Sequence, residues 1–401
     1  MSRKTLYVGM TGGFGSLAQV IPILEQLNPD KYRVLCSINH GAAHAVKRLG
    51  YEFVPYPDVG EPSLVTPKGR HWCQLDQYWG RFGFADHKYF LSLIQARLAL
   101  VEELAPDILL TQFCPPTEVI ARITGIPIVC VTQSCWHPKG KALCWWKHVD
   151  PADYPPVTPV VNSVLERYAA LPVRCMADLN QGDLTLIPSF PEFDPINDKR
   201  VHYIGPQRWE SAQQILVQKI VPMFDDKKPL IVVYTGHLYD SAGESGILIL
   251  REVLKALKNT AVNVLIATGL GQEHTMPVCP YPHVHIHEWL PMERLLKRCA
   301  LFIHHGGHGS CMAGIVNQAP ALIIPTFQER EFNARQLHRL GLADFIMPSD
   351  LQGGALALKI TSCLQDRSIG DNLAAWQVQL NRRQYGGAPY AATLIDHLAG
   401  D

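Results

Sequence analysis

Short apolar runs and helical repeats alternate along almost the whole chain, and this alternation limits the fold more than any other feature. The runs are "TLYVGM", "YRVLCSI", "PDILLT", "PIVCVT", "LTLIPS", "PLIVVYT", "VNVLIAT", "ALFIHH" and "ALIIPT". Each has strand length and is apolar on consecutive residues, so neither face of such a strand can be left to water. Between them lie helical patterns such as "LAQVIPILEQL", "GAAHAVKRLG", "ILREVLKALKN", "MERLLKRC" and "EFNARQLHRLG". Strands that need cover on both faces, each followed by a helix, make doubly wound α/β layers with parallel sheets and right-handed crossovers.

The chain has 401 residues. One core does not grow to that size, so two domains are expected. From Pro188, "PSFPEFDPINDKRVHYIGPQRWESAQ" is rich in Pro and Asp and lacks a helical period, which reads as a linker. The boundary is placed there, giving domains 1–205 and 206–401. The last helices (372–399) belong to the second domain or cross back to the first.

Charge excludes one class of partner. Lys plus Arg and Asp plus Glu both number 36, and no long basic run occurs, so a nucleic-acid partner has no electrostatic support. No 18-residue apolar run exists, and the apolar stretch near the N-terminus is too short for a signal peptide. The 11 cysteines form no C-x-x-C pair, which fits reduced thiols and a cytoplasmic location.

Between the runs "CALFI" and "CMAGIVNQ" stands "HHGGHGS", His304 to Ser310. A glycine-rich turn between a strand end and a helix start is an anion site, because backbone N–H groups point inward and the helix dipole adds positive potential. His305 can donate to a phosphate oxygen. Ser310 can add a hydroxyl and cap the helix.

The surrounding stretch, "EWLPMERLLKRCALFIHHGGHGSCMAGIVNQAPALIIPTFQEREFNARQLHRLGLA", resembles the donor-binding signature of the UDP-glycosyltransferase-like glycosyltransferases. "GFGSLAQVIPILEQL", "PIVCVT", "LIPSFPEFDP", "YIGP" and "PLIVVYTG" follow in that family's order. The resemblance implies the GT-B fold, two Rossmann-like domains facing a central cleft. The N-terminal domain would bind the acceptor, and the C-terminal domain the nucleotide-sugar donor. It implies that Trp289 and Leu290 line the base pocket and that His305, Ser310 and the amides of Gly307 and Gly309 hold the diphosphate. Thr235 and Gly236 would face the phosphates or the sugar. Glu329 and Arg330, where an acid and Gln are usual, would grip sugar hydroxyls, with Asn333 in the same helix start. Arg330 in place of Gln marks a charged or unusual donor sugar.

Two positions depart from the family. Its general base is a histidine where this chain has Ser16, and the aspartate that orients that base falls at Gln112. A serine hydroxyl is too weak a base at neutral pH. Three explanations stay open: another base (His71, His87, His137, Asp58 or Asp86), an acceptor that arrives ionised or readily ionises, or binding without efficient transfer.

The acceptor side reads as aromatic. Trp72, Trp79, Phe84 and His87 lie in one first-domain connection, and Trp136 and His137 in another; Trp145 and Trp146 extend the second. Such loops suit a planar, hydrophobic or sugar-like acceptor, and Lys139, Lys141 and Lys147 tolerate an anionic one. They are also compatible with local packing, a subunit contact or peripheral membrane contact.

The reading is therefore an inverting, metal-independent glycosyltransferase moving a sugar from a UDP- or dTDP-sugar to a small-molecule acceptor, as a monomer or homodimer. The nucleotide sugar is a co-substrate, and neither cofactor nor metal is expected; no Asp-x-Asp occurs in the sequence. The alternatives are a nucleotide-sugar epimerase or hydrolase of the same fold and a non-catalytic nucleotide-sugar-binding protein. A dinucleotide oxidoreductase is weaker, since "YRVLCSINH" ends without the acidic residue that a ribose needs.

Overall fold

The computed structural model describes residues 3–11, 13–38, 40–66, 74–141, 155–209, 227–240, 243–269, 279 and 281–400. They fall into two compact units: 3–209 with 385–400, and 227–384.

The first unit is built on seven parallel strands. They are β1 (Lys4–Met10), β2 (Tyr32–Ile38), β3 (Glu52–Phe53), β4 (Ile108–Gln112), β5 (Ile128–Val131), β6 (Leu184–Ile187) and β7 (Val201–Tyr203), in the order β3-β2-β1-β4-β5-β6-β7. Every residue of β4, β5 and β6 is buried, as their unbroken apolar runs require. The helix Gly387–Leu398 packs on the Phe14–Leu24 helix and on β6, so the last helix belongs to this unit.

The second unit has six parallel strands, β8 (Leu230–Tyr234), β9 (Asn263–Ala267), β10 (Val284–His287), β11 (Leu301–His304), β12 (Ala321–Ile323) and β13 (Asp344–Phe345), in the order β10-β9-β8-β11-β12-β13. Its core joins Ile231, Val233, Ile266 and Ile303 to Ile249 and Val253 of the Ser245–Leu257 helix and Leu356 and Ile360 of the Ala355–Gln365 helix. In each sheet the winding reverses between two central strands, β1 and β4 in the first and β8 and β11 in the second. Such a reversal opens a crevice outside the carboxyl ends of those strands, the ordinary place for a ligand in an open α/β sheet.

The stretch from Pro188 is not a linker. Phe190 and Phe193 are fully buried, Asp194 accepts from the Ser134 N–H at 2.8 Å and from the Ser189 hydroxyl, and β7 pairs with β6. Its prolines and aspartates serve this irregular but packed strap, which a search for helical period does not detect.

Candidate functional site

The register of β8 and β11 pairs Tyr234 with His304. Thr235–Gly236 and His305–Gly306 therefore leave the sheet side by side, at the point where the winding reverses. The Thr235 hydroxyl is tied back to the Gly236 carbonyl at 2.7 Å, and the His305 ring meets the Tyr234 ring edge-on, with centroids 5.2 Å apart.

Gly306 has φ +91°, and a Cβ there would stand 2.9 Å from the Arg330 carbonyl, so no other residue fits without strain. The following helix runs His308–Val316 with Gly307 as its N-cap. Ser310 is thus not the cap; it lies in the first turn. The Cys311 N–H bonds the Gly307 carbonyl at 3.1 Å, and the His308 N–H is taken by Glu329 Oε1 at 3.2 Å. That leaves the N–H groups of Gly309 and Ser310 as first-turn donors with no intrahelical carbonyl to meet.

The next loop supplies the other wall. After β12 the chain passes Thr326 and Phe327 into the Gln328–Arg339 helix, whose first turn carries Glu329, Arg330 and Asn333. Asn333 is fully buried; its amide donates to the Gly306 carbonyl at 2.9 Å and to Glu329 Oε1 at 2.6 Å. Arg330 pairs with Asp240 at 2.7 Å, donates to the Thr326 hydroxyl and lies 3.9 Å over the Phe327 ring. The structure thus gathers Thr235, Gly236, His305, Gly307, Gly309, Ser310, Glu329, Arg330 and Asn333 around one carboxyl edge. Leu290 packs in the adjoining core against Leu265 and Ala267, and Trp289 beside it is half-buried.

Burial sets the charges here. It holds the His304 imidazole down at about 3. It pushes His305 well below the usual histidine range, with Arg330 and His304 adding to the effect. His237 is lowered by burial as well. These rings are neutral at physiological pH, so the turn offers N–H dipoles and not imidazolium charge. The Glu329 carboxyl is raised by burial, against Arg330, His308 and Asn333.

The equivalent edge of the first unit holds Ser16 and Gln112. Ser16 lies in the first turn of the Phe14–Leu24 helix, and Gln112 closes β4 opposite Met10 of β1. Both are buried; Gln112 Nε2 reaches Gln19 Oε1 at 3.5 Å, and its Oε1 has no partner among the described residues. The aromatic residues pack on one another: Trp79 stacks on Phe84 at 5.5 Å and meets Phe113 at 4.6 Å, and Phe113 meets Trp136 at 4.6 Å. Trp79, Phe84 and Trp136 are no more than 5% exposed, so this is a packed cluster. His87 is exposed, with Ser163 at 2.9 Å. His137 is buried, its Nδ1 accepting from the Lys139 N–H at 3.2 Å, and burial pushes it down to about 4. Trp72, with His71, Trp145, Trp146 and Lys147, lies outside the described residues.

Sequence reasoning missed Asp240, His237 and Tyr234. "VVYTGHLYDS" carries no motif for them; only the fold brings Asp240 to Arg330.

Comparison with known proteins agrees with this geometry. Residues 251–380 match the model of the erythromycin biosynthesis protein CIII-like C-terminal domain. Demethyllactenocin mycarosyltransferase of Streptomyces fradiae is 25% identical over 410 residues, covering 96% of this chain and 84% of the relative. NDP-glycosyltransferase YjiC of Bacillus licheniformis is 25% identical over 209 residues, 52% of this chain and half of the relative's length (50%). Among solved structures, the glycosyltransferase of kitacinnamycin superposes with a TM-score of 0.74 at 19% identity, covering all of both chains (100%). Glycosyltransferase VinC in complex with dTDP does so with a TM-score of 0.68 at 14% identity, covering 99% of each. These likenesses show the GT-B fold, and the chain is similar in sequence to glycosyltransferases.

Proposed function

We propose that the protein transfers a sugar from a UDP- or dTDP-sugar to a small-molecule acceptor, with inversion and without a metal. The observation that carries this is the turn Gly306–Ser310. The Gly309 and Ser310 N–H groups and a neutral His305 converge where two strands end at the winding reversal. A diphosphate seated there would be held by dipoles already in place, which also stabilise the charge that grows on the leaving group. That is the work a divalent cation does elsewhere. Two similar proteins, demethyllactenocin mycarosyltransferase and a glycosyltransferase in complex with dTDP, favour natural-product acceptors and a thymidine donor beside uridine.

Glu329 supports direct displacement. Its Oε1 accepts from the His308 N–H and the Asn333 amide, which supports reading the carboxyl as a grip for sugar hydroxyls and not as a nucleophile. One displacement with no enzyme nucleophile inverts the anomeric centre. Ser16 and Gln112 do not ionise near neutrality, so the acceptor is a carboxylate, phosphate or acidic phenol that brings its own anion, or its proton goes to a base elsewhere. A cytoplasmic location goes with this reading; no helix among the described residues is long and apolar enough to cross a membrane.

Thermal shift against UDP, dTDP, GDP, ADP and NAD without metal tests the donor site. A ligand at about 100 times its dissociation constant stabilises a fold by ~2.7 kcal/mol. A rise with UDP or dTDP is expected. A rise with NAD alone would replace the reading, and no rise with any diphosphate would remove it.

A further inference from the structure

Arg330 stands beside Glu329, where the donor sugar would be gripped. A free guanidinium at that place invites a carboxylate, because its fork matches two carboxylate oxygens. The fork is already filled. Nη2 pairs with Asp240 Oδ2 at 2.7 Å, Nη1 donates to the Thr326 hydroxyl, and one face of the group lies 3.9 Å from the Phe327 ring centre. The two charged side chains are 8% and 12% exposed, so the pair is well shielded from water. Only Nε is left without a partner among the described residues. Nε is itself buried, so a carboxylate could take the guanidinium in two places only by displacing Asp240 or Thr326. Asp240 is itself anchored, its Oδ1 accepting from the Ser245 hydroxyl at 2.9 Å.

We propose that Asp240 and Arg330 together select the donor sugar by charge, admitting neutral sugars and rejecting those that carry a carboxylate. The inference rests on the donor-site reading above and deepens it. It reverses what Arg330 alone suggests in the sequence. Asp240 cancels the cation, and a sugar carboxylate entering here meets the carboxyls of Asp240 and Glu329 with no unpaired Lys or Arg in return among the described residues of the turn. Arg330 in turn balances the charge of the partly buried Asp240 carboxylate.

The test compares a neutral donor with its uronic acid on one nucleotide. Dissociation constants of UDP, UDP-glucose and UDP-glucuronate are measured by calorimetry on the full chain, with the thymidine series used instead if only dTDP binds. The wild type is expected to prefer the glucose donor by at least tenfold. Asp240→Asn keeps the size and the Ser245 contact but frees the charge of Arg330. It is expected to cut that preference at least tenfold while the affinity for the bare diphosphate changes less than threefold. Arg330→Gln should remove the charge that balances Asp240 here and widen the preference. If Asp240→Asn does not fold, Asp240→Ser is measured in its place. An unchanged preference in a folded Asp240 variant, or a wild type that prefers glucuronate, overturns the proposal. Failure of both UDP and dTDP to bind the wild type would instead overturn the donor-site reading beneath it.

Discussion

The Asn333 amide bridges the Gly306 carbonyl and the Glu329 carboxylate, at 2.9 and 2.6 Å. One buried side chain thus ties the loop after β11 to the helix after β12. Removing it releases the glycine turn and leaves the buried Gly306 carbonyl to the weak Cys311 thiol donor at 3.5 Å. Asn333→Ala is expected to lower stability by about 1–3 kcal/mol and to weaken diphosphate binding. Asn333→Asp should do worse, because it sets a second carboxyl against Glu329. Melting curves and dTDP titrations of both variants check this; an unaltered melting temperature in Asn333→Ala would mean that the bridge contributes nothing.

His305 can be tested from two sides. His305→Ala removes a phosphate donor and should weaken nucleoside diphosphate binding by about 1–3 kcal/mol. Gly307 has an ordinary φ of −61°, so alanine costs no backbone strain there. Its Cβ would nevertheless fall 2.6 Å from His305 Nε2 and push the ring away. Gly307→Ala is therefore expected to reproduce most of the His305→Ala loss while His305 is still present. Full diphosphate affinity in both variants would take His305 out of the phosphate site.

What the sequence made legible follows from what each strand needs. Central strands β1, β4, β8, β9 and β11 are covered on both faces, so they appear as unbroken apolar runs. The strands that pattern reading passes over are β3, β7, β10 and β13, and these are the four sheet edges. An edge strand is short and half solvated; Glu52–Phe53 and Val284–His287 carry charge or histidine where a central strand carries Ile or Val. The turn Gly306–Ser310 is legible because glycines and histidines between a strand and a helix stand out from both. Asp240 is not, because its meaning lies in a partner 90 residues away. Trp79 and Trp136 show the opposite error: aromatic loops suggest an open wall, whereas their rings are spent on Phe84 and Phe113.

Ser16 and Gln112 give a gain-of-function test. If the acceptor supplies its own anion, a restored base should broaden the acceptor range and hardly affect the native reaction. Ser16→His with Gln112→Asp is expected to raise turnover with neutral alcohol acceptors at least tenfold, the lower end of what general base catalysis contributes being about a hundredfold. That gain should fall away below about pH 6.5, as the new histidine protonates. Equal rates in wild type and double variant on alcohols would show that the wild type already has a base.

The buried histidines of the turn make a prediction about acid stability. Folded His304 takes a proton only near pH 3, and folded His305 is also held well below its usual range, both chiefly by burial. In the unfolded chain each protonates near pH 6.5. Below that value the unfolded state binds more protons than the native state, so stability falls as the pH falls. Each such histidine costs up to about 1.4 kcal/mol per pH unit, starting near pH 6.5 and, for His304, ending near pH 3. His304 accepts the Gly306 N–H at 3.1 Å through Nδ1, a contact that the side-chain oxygen of Asn can take over. Denaturant unfolding at pH 7.5, 6.0 and 5.0 should show His304→Asn starting less stable than the wild type and losing less on acidification. Parallel losses in the two proteins would mean that His304 is protonated in the fold as readily as in the unfolded chain.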